Sequence, residues 1–196
     1  MVLDKRMSRR VVLHDRVEGS EVRALADRQG WIFVGQVKSD PEKGISYEVK
    51  WDSQDNGSVH YLDNDLIDAA YMVAMNEVPE AAEEAIRTVC RSLAVWTIEE
   101  LLTDVTTQVR PADRARALLR LGVGAPLEPE ERVIKTIRQG LQHPDSRVRL
   151  ASVWAVAYTE WLLFMEDLDR ISRKDRDREI IRTAAAVRKK FRKAGP

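Results

Sequence analysis

The chain has 196 residues, and its 32 Lys and Arg balance 32 Asp and Glu, so the net charge at pH 7 is zero. Hydrophobic residues make up 44% and charged residues 33%, which is typical of a soluble, helix-rich globular protein. No apolar run approaches the roughly 20 residues that cross a bilayer, the amino terminus lacks the apolar core of a secretory signal, and the single Cys90 favours a reducing cytoplasm.

Zero net charge hides an uneven distribution along the chain. Residues 1–75 carry 10 Lys and Arg against 13 Asp and Glu, and residues 76–170 carry 12 against 16. Residues 171–196 carry 10 against 3. The basic charge is therefore concentrated in the last segment.

Residues 1–29 form an amino-terminal segment in this prediction. The part up to Val17 is too short and too charged to build a core alone. A short helix is expected from Ser20, and Gly30 ends it.

Residues 30–75 have the pattern of short strands. Strand-like runs at 31–38, 45–51 and 58–62 are separated by turn-forming residues at 39–44 and 52–57. The later run AAYMVAM either adds a last strand or begins the helical region. Short strands with tight turns bury little as an open sheet, so a small, strongly bent antiparallel barrel is predicted.

The aromatic spacing of this segment resembles the small barrels of the SH3 and Tudor type. It is carried by Trp31-x-Phe33-x-Gly35, Tyr47-x-Val49-x-Trp51 and Val59-x-Tyr61. The resemblance implies peptide docking, or a methyl-lysine cage built from Trp31, Tyr47, Trp51 and Tyr61. The alternative is that these aromatic rings are core and cross-strand pairs.

Residues 76–196 are predicted to be helical. Pro79 suits a first helical turn, Thr97 and Glu100 have capping-box spacing, and Asp145 is a good N-cap for a helix that buries Trp154. The run LQHPDSRVRLASVWAVAY (141–158) resembles the second half of a HEAT-type repeat. That resemblance implies a short α-solenoid that binds along one surface and implies no reaction.

The sequence contains few patterns typical of catalytic sites, so the protein is predicted not to be an enzyme and to use neither a cofactor nor a metal ion. Gly122-x-Gly124 lacks the other glycines of a phosphate loop. His14, His60 and His143 stand apart from one another in sequence.

The predicted fold class is therefore α+β, with an SH3/Tudor-like barrel followed by a HEAT-like solenoid. The leading function is non-enzymatic protein binding by a bacterial-type cytoplasmic protein, in the manner of a single-partner inhibitor or immunity protein. Exposed aromatics and arginines carry most interface energy. The predicted partner-binding residues are Trp31, Trp51, Tyr61, Arg147, Arg149 and Trp161, and at least one of Trp31 and Trp51 is expected to be partly exposed.

The alternative function is nucleic-acid binding through the barrel and the basic last helix. The cations proposed to contact phosphates are Arg182, Arg188, Lys189, Lys190, Arg192 and Lys193. In the competing interpretation these side chains solubilise a terminal helix and pair with acidic residues. Pairing with acids of the preceding helix would favour the protein-binding function.

Overall fold

The computed structural model describes residues 6–40, 42 and 46–194 and confirms the predicted α+β class. The chain divides into two compact units, residues 1–97 and residues 98–196. Helix α2 (Pro79–Ser92) belongs to the first unit because it packs on the last strand of the sheet. The observed boundary thus follows this helix, whereas the sequence pattern places the boundary before it.

The first unit contains one antiparallel sheet of six strands. They are β1 (Arg6–Met7), β2 (Val11–Val12), β3 (Ile32–Val37), β4 (Tyr47–Asp52), β5 (Ser58–Asn64) and β6 (Ala69–Asn76). The strand order is β1-β6-β5-β4-β3, and β2 also pairs with β6. Within the described ranges nothing pairs β3 with β1 or β2, so the sheet is open and the predicted barrel closure is not seen.

Two helices cover one face of this sheet. Helix α1 (Gly19–Gln29) begins with a capping box between Glu18 and Glu21 and ends at Gly30, whose φ of 66° suits glycine. Helix α2 begins with Pro79 in its first turn, as the sequence predicts. The two helices and the sheet share one hydrophobic core, which contains Val22, Leu25, Val49, Trp51, Val59, Met72, Ile86 and Val89.

The second unit is helical in its described part. It contains α3 (Ile98–Thr107), α4 (Pro111–Val123), α5 (Glu131–Leu141), α6 (Ser146–Thr159), α7 (Met165–Lys174) and α8 (Arg178–Ala194). Helix α6 packs against α4, α5 and α8, α3 packs against α4 and α5, and α7 packs against α8. None of the helices in the described ranges is long and apolar enough to cross a membrane.

Two glycines allow helices to approach α6 closely. A Cβ added at Gly122 of α4 would lie 2.5 Å from the Cα of Ala155, and one added at Gly140 of α5 would collide with Ser152. Helix α6 itself begins at Asp145, whose side chain accepts a hydrogen bond from the Arg147 amide at 2.9 Å. Hydrogen bonds from the Arg147 side chain lower the pKa of Asp145 to about 2, so the predicted N-cap is present and charged.

Candidate partner-binding surfaces

The outer edge of the sheet in the first unit is formed by an exposed apolar strand. Four side chains of β3 are about half exposed or more: Ile32 (67%), Phe33 (59%), Val34 (50%) and Val37 (49%). The strand pairs with β4 on one side, and no described residue pairs with its other side. Strands of this kind are ready templates for another chain.

The register of β3 explains why both of its faces are exposed. Phe33 lies opposite Trp51 and therefore faces the same side as the helices, whereas Ile32 lies opposite Asp52 on the other side. The core on the helix side is formed by residues of α1 and α2 with β4, β5 and β6, and does not include Phe33. A β-bulge at Val34 interrupts the pairing with β4 and bends the edge.

A groove of about 460 Å³ lies beside the start of β3. It is lined by Trp31, by the turn residues Gln54 and Asp55, and by Ala81, Glu84 and Thr88 of α2. Trp31 is partly exposed, which confirms the expectation that at least one of Trp31 and Trp51 would be. Glu84 accepts hydrogen bonds from Arg87 at 2.7 Å and from Arg91, and the Arg87 bond holds its pKa below the usual value.

The other predicted aromatic contacts of the sheet are packing residues. Trp51 is 4% exposed and belongs to the hydrophobic core, so it cannot meet a partner without unfolding. Tyr61 packs edge-on against Tyr47, with ring centroids 6.3 Å apart, and burial raises the pKa of its hydroxyl. With Trp51 inside the core, the four rings do not form an open cage.

The two tryptophans around the end of α6 exchange their predicted roles. Trp161, predicted to contact a partner, is 5% exposed, stacks on Phe164 and donates a hydrogen bond from Nε1 to the Leu127 carbonyl at 3.0 Å. Trp154, predicted to be core, is 36% exposed. Helix α6 buries its other sides against three neighbouring helices, and Trp154 lies on the stripe that remains exposed.

The two predicted contact arginines differ in how they are held. Arg149 donates two hydrogen bonds to Asp175, at 2.8 and 2.9 Å, and two more to the carbonyls of His143 and Pro144. Its side chain is mostly buried by these contacts, so Arg149 fastens α6 to the end of α7 and is not a free contact residue. Arg147 is exposed and pairs with Asp145 at 2.7 Å.

The basic residues of α8 fall into two groups. Arg188 pairs with Asp169 of α7, and Lys190 lies 3.4 Å from Glu160, as the competing interpretation expects. The other four are exposed and have no ion-pair partner in the part of the chain that the structure describes: Arg182, Lys189, Arg192 and Lys193.

A hydrogen-bonded chain in the sheet has the connectivity of a hydrolase triad. Ser58 Oγ lies 2.9 Å from His60 Nε2, and His60 Nδ1 lies 2.6 Å from Glu48 Oε1. A nucleophile must meet its substrate, however, and Ser58 is only 3% exposed. We therefore interpret these hydrogen bonds as a polar contact between β4 and β5. The spacing of the three residues in the sequence did not reveal it.

No group of three or more His, Cys, Asp or Glu suited to hold a metal ion occurs among the residues that the structure describes. No protein-family model, curated protein or solved structure matches this chain.

Proposed function

We propose that this protein is a non-enzymatic, cytoplasmic protein-binding module whose main contact is the edge strand β3. The observation that carries the proposal is the exposure of Ile32, Phe33, Val34 and Val37 on one strand whose outer edge no described residue pairs with. Natural proteins usually blunt such edges with charges, prolines or a cover, because an exposed apolar edge promotes aggregation. In the described strand, the bulge at Val34 is the feature that hinders edge-to-edge pairing. A bound partner would cover the rest of the exposed edge.

The four exposed side chains of β3 are all apolar, and they lie on both faces of the strand. A stable complex buries about 800 Å² per partner, so β3 forms only part of such an interface. The adjacent Trp31 groove is placed to supply more, since aromatic side chains are frequent interface anchors.

The finer architecture belongs to the same proposal. In the helical unit, the contacts of α6 with α4 and α8, and of α3 with α5, support a short HEAT-type solenoid with Trp154 on an exposed stripe. An SH3/Tudor-like barrel would close by pairing β3 with the opposite end of the sheet. A partner can bind at β3 only while that edge is unpaired, so the proposed function requires the sheet to stay open. A single-partner, immunity-like role remains the proposed class of function.

Site-specific photo-crosslinking tests the β3 surface. A photoreactive residue in place of Phe33 or Val37 should give a discrete crosslinked product with the partner in native cells, while the same residue at the exposed Ala24 of α1 should not. With the captured partner purified, Phe33→Ser should weaken binding by about tenfold or more without lowering thermal stability, because Phe33 is exposed. Identical crosslinked products from positions 33 and 24 would contradict the assignment of β3 as the binding surface.

Nucleic-acid binding is the second candidate function, and a separate observation favours it. Residues 98–196 carry 20 Lys and Arg against 15 Asp and Glu, whereas residues 1–97 carry 12 against 17. The excess positive charge therefore lies in the helical unit, where Arg182, Lys189, Arg192 and Lys193 are exposed. A salt series with mixed-sequence DNA and RNA tests it: micromolar binding at low salt should weaken by orders of magnitude as salt rises.

A further inference from the structure

Helices α7 and α8 enclose an open cleft of about 400 Å³ with a mainly basic lining. Its five cationic side chains are Arg170, Arg173, Lys174, Arg188 and Arg192. Two acids, Glu166 and Asp169, also line it, so the lining carries an excess of positive charge. Of the predicted phosphate-contacting residues, Arg188 and Arg192 lie in the cleft.

The acids near the cleft orient its arginines more than they neutralise it. Asp169 accepts a hydrogen bond from Arg188 and pairs with Arg173 at 3.1 Å. Asp167 holds Arg170 at 2.8 Å, but Asp167 is also paired with Arg138 at 3.0 Å. Guanidinium groups held in this way are preorganised donors for phosphate oxygens.

Two further cations in the cleft lack an acidic partner in the described part of the chain. Lys174, at the end of α7, and Arg192, near the end of α8, have no ion pair within the described ranges. Both are exposed, so an incoming anion can reach them without breaking an existing contact. Because cations that neutralise phosphates release the counterions condensed on the nucleic acid, they favour association at low salt.

A second set of cations forms a row along α8. Arg182, Lys189 and Lys193 are seven and four residues apart, which places them on one exposed face of a 17-residue helix. At 1.5 Å per residue, the row from Arg182 to Lys193 spans about 17 Å. A single small anion would occupy only the cleft, whereas a row of this length suits a chain of phosphates.

We infer that the α7/α8 cleft, together with this row, binds the phosphodiester backbone of nucleic acid, with consecutive phosphates held by the cleft arginines and Lys174. The inference rests on the second proposed function and assigns its site. Contacts to phosphate position a nucleic acid without reading its bases, so binding should be independent of sequence.

Charge-reversal variants of the full-length protein test the site. Lys174→Glu/Arg192→Glu removes two cleft cations, and Arg182→Glu/Lys189→Glu removes two cations of the row. The matched control is Arg23→Glu/Lys135→Glu, at exposed positions of α1 and α5. Affinity for a fluorescent mixed-sequence DNA duplex and a single-stranded RNA is measured against salt. The cleft variant should bind on the order of tenfold or more weakly at low salt, with a log–log salt slope smaller by about 2 for the duplex, while the control stays within about twofold.

The other outcomes distinguish failure of the nucleic-acid-binding function from failure of the cleft as its site. If no nucleic acid binds even at low salt, the second proposed function fails and the inference fails with it. If the row variant loses binding while the cleft variant matches the wild type, nucleic-acid binding stands but the cleft is not its site. If inorganic tripolyphosphate displaces the RNA at micromolar concentration, the cleft is a site for a small phosphate ligand and the nucleic-acid assignment is overturned.

Discussion

At the scale of single residues, Trp154 and Trp161 show what a hydrophobic pattern cannot resolve. Buried positions of α6 include Val148, Val153 and Val156 on several sides, so the pattern around this helix does not point to one inward face. Trp161 follows Glu160, whose φ of 57° ends the helix and changes the direction of the next side chains. The inference that a tryptophan inside α6 must be core was therefore wrong.

Truncating each tryptophan should give different results. Trp161→Ala removes a buried indole and its hydrogen bond to Leu127, and it should lower the free energy of unfolding by about 3–5 kcal/mol. Trp154→Ala should lower it by only about 1 kcal/mol, because 36% of the residue is already exposed to solvent. Urea denaturation followed by circular dichroism measures both. Equal losses would contradict the observed placement of the two side chains.

Gly122 is a second residue whose importance lies in packing. Its added Cβ would meet the Cα, Cβ and carbonyl oxygen of Ala155 at 2.5 to 2.9 Å, and a helix backbone cannot yield locally. Gly122→Ala should therefore destabilise the protein by about 1–3 kcal/mol, despite the higher helix propensity of alanine. Gly19→Ala in α1 is the control, since nothing lies within 4 Å of its added Cβ, and it should be neutral or slightly stabilising. The melting temperatures of both variants, measured by thermal unfolding, test this prediction.

At the scale of elements, the strands show how far alternation predicts structure. The runs at 31–38, 45–51 and 58–62 correspond to β3, β4 and β5, because each is bounded by turn residues. Strand β6 stayed ambiguous, since Tyr71, Met72, Val73 and Ala74 are all buried and an apolar run without alternation also fits a helix. No glycine marks the break between α6 and α7 in the sequence, because Glu160 is the residue that adopts the left-handed conformation there.

The Arg149–Asp175 pair connects two elements and should make stability depend on pH. Hydrogen bonds from Arg149 hold the pKa of Asp175 below its usual value of about 3.9. A carboxyl with a lowered folded pKa adds stability above its unfolded pKa, and this stability is lost as pH falls through the folded pKa. Asp175→Asn should therefore be clearly less stable than wild type at pH 7, and the difference should shrink below about pH 4.

Denaturant unfolding from pH 3 to pH 7 measures this effect. Glu128→Gln, at an exposed loop position before α5, is the matched control and should follow the wild-type curve throughout. A difference between wild type and Asp175→Asn that stays constant over the whole range would mean that the ionised carboxylate is not what stabilises the contact.

At the scale of the whole molecule, sequence could not locate the candidate surfaces. The letters of β3, IFVGQV, are those of a buried strand, and only the strand order of the sheet makes β3 an edge. Likewise, the cations of α8 were visible in the sequence, but their division into paired Arg188 and Lys190 and exposed Arg182 and Lys189 depends on which helix lies beside which. Both surfaces depend on which elements lie side by side in the fold, and the local sequence pattern does not contain this information.

The separation of charge between the units predicts self-association at low salt. Residues 1–97 carry five more acids than bases and residues 98–196 five more bases than acids, so two copies attract each other while zero net charge gives no opposing repulsion. Light scattering at pH 7 should show a mean mass above the monomer at about 0.01 M salt and a monomer at about 0.3 M, because the screening length falls from about 30 Å to below 10 Å.

The same measurement distinguishes this attraction from pairing through β3. Charge reversal at Lys174 and Arg192 reduces the positive excess of the second unit, so it should weaken the low-salt association, whereas Phe33→Ser should leave it unchanged. Apolar contact at β3 would respond in the opposite way, since salt does not screen it and sulfate strengthens it. Association that persists at high salt and disappears with Phe33→Ser would show that copies of this chain cover each other's edge strand, and the partner of β3 would then be a second copy.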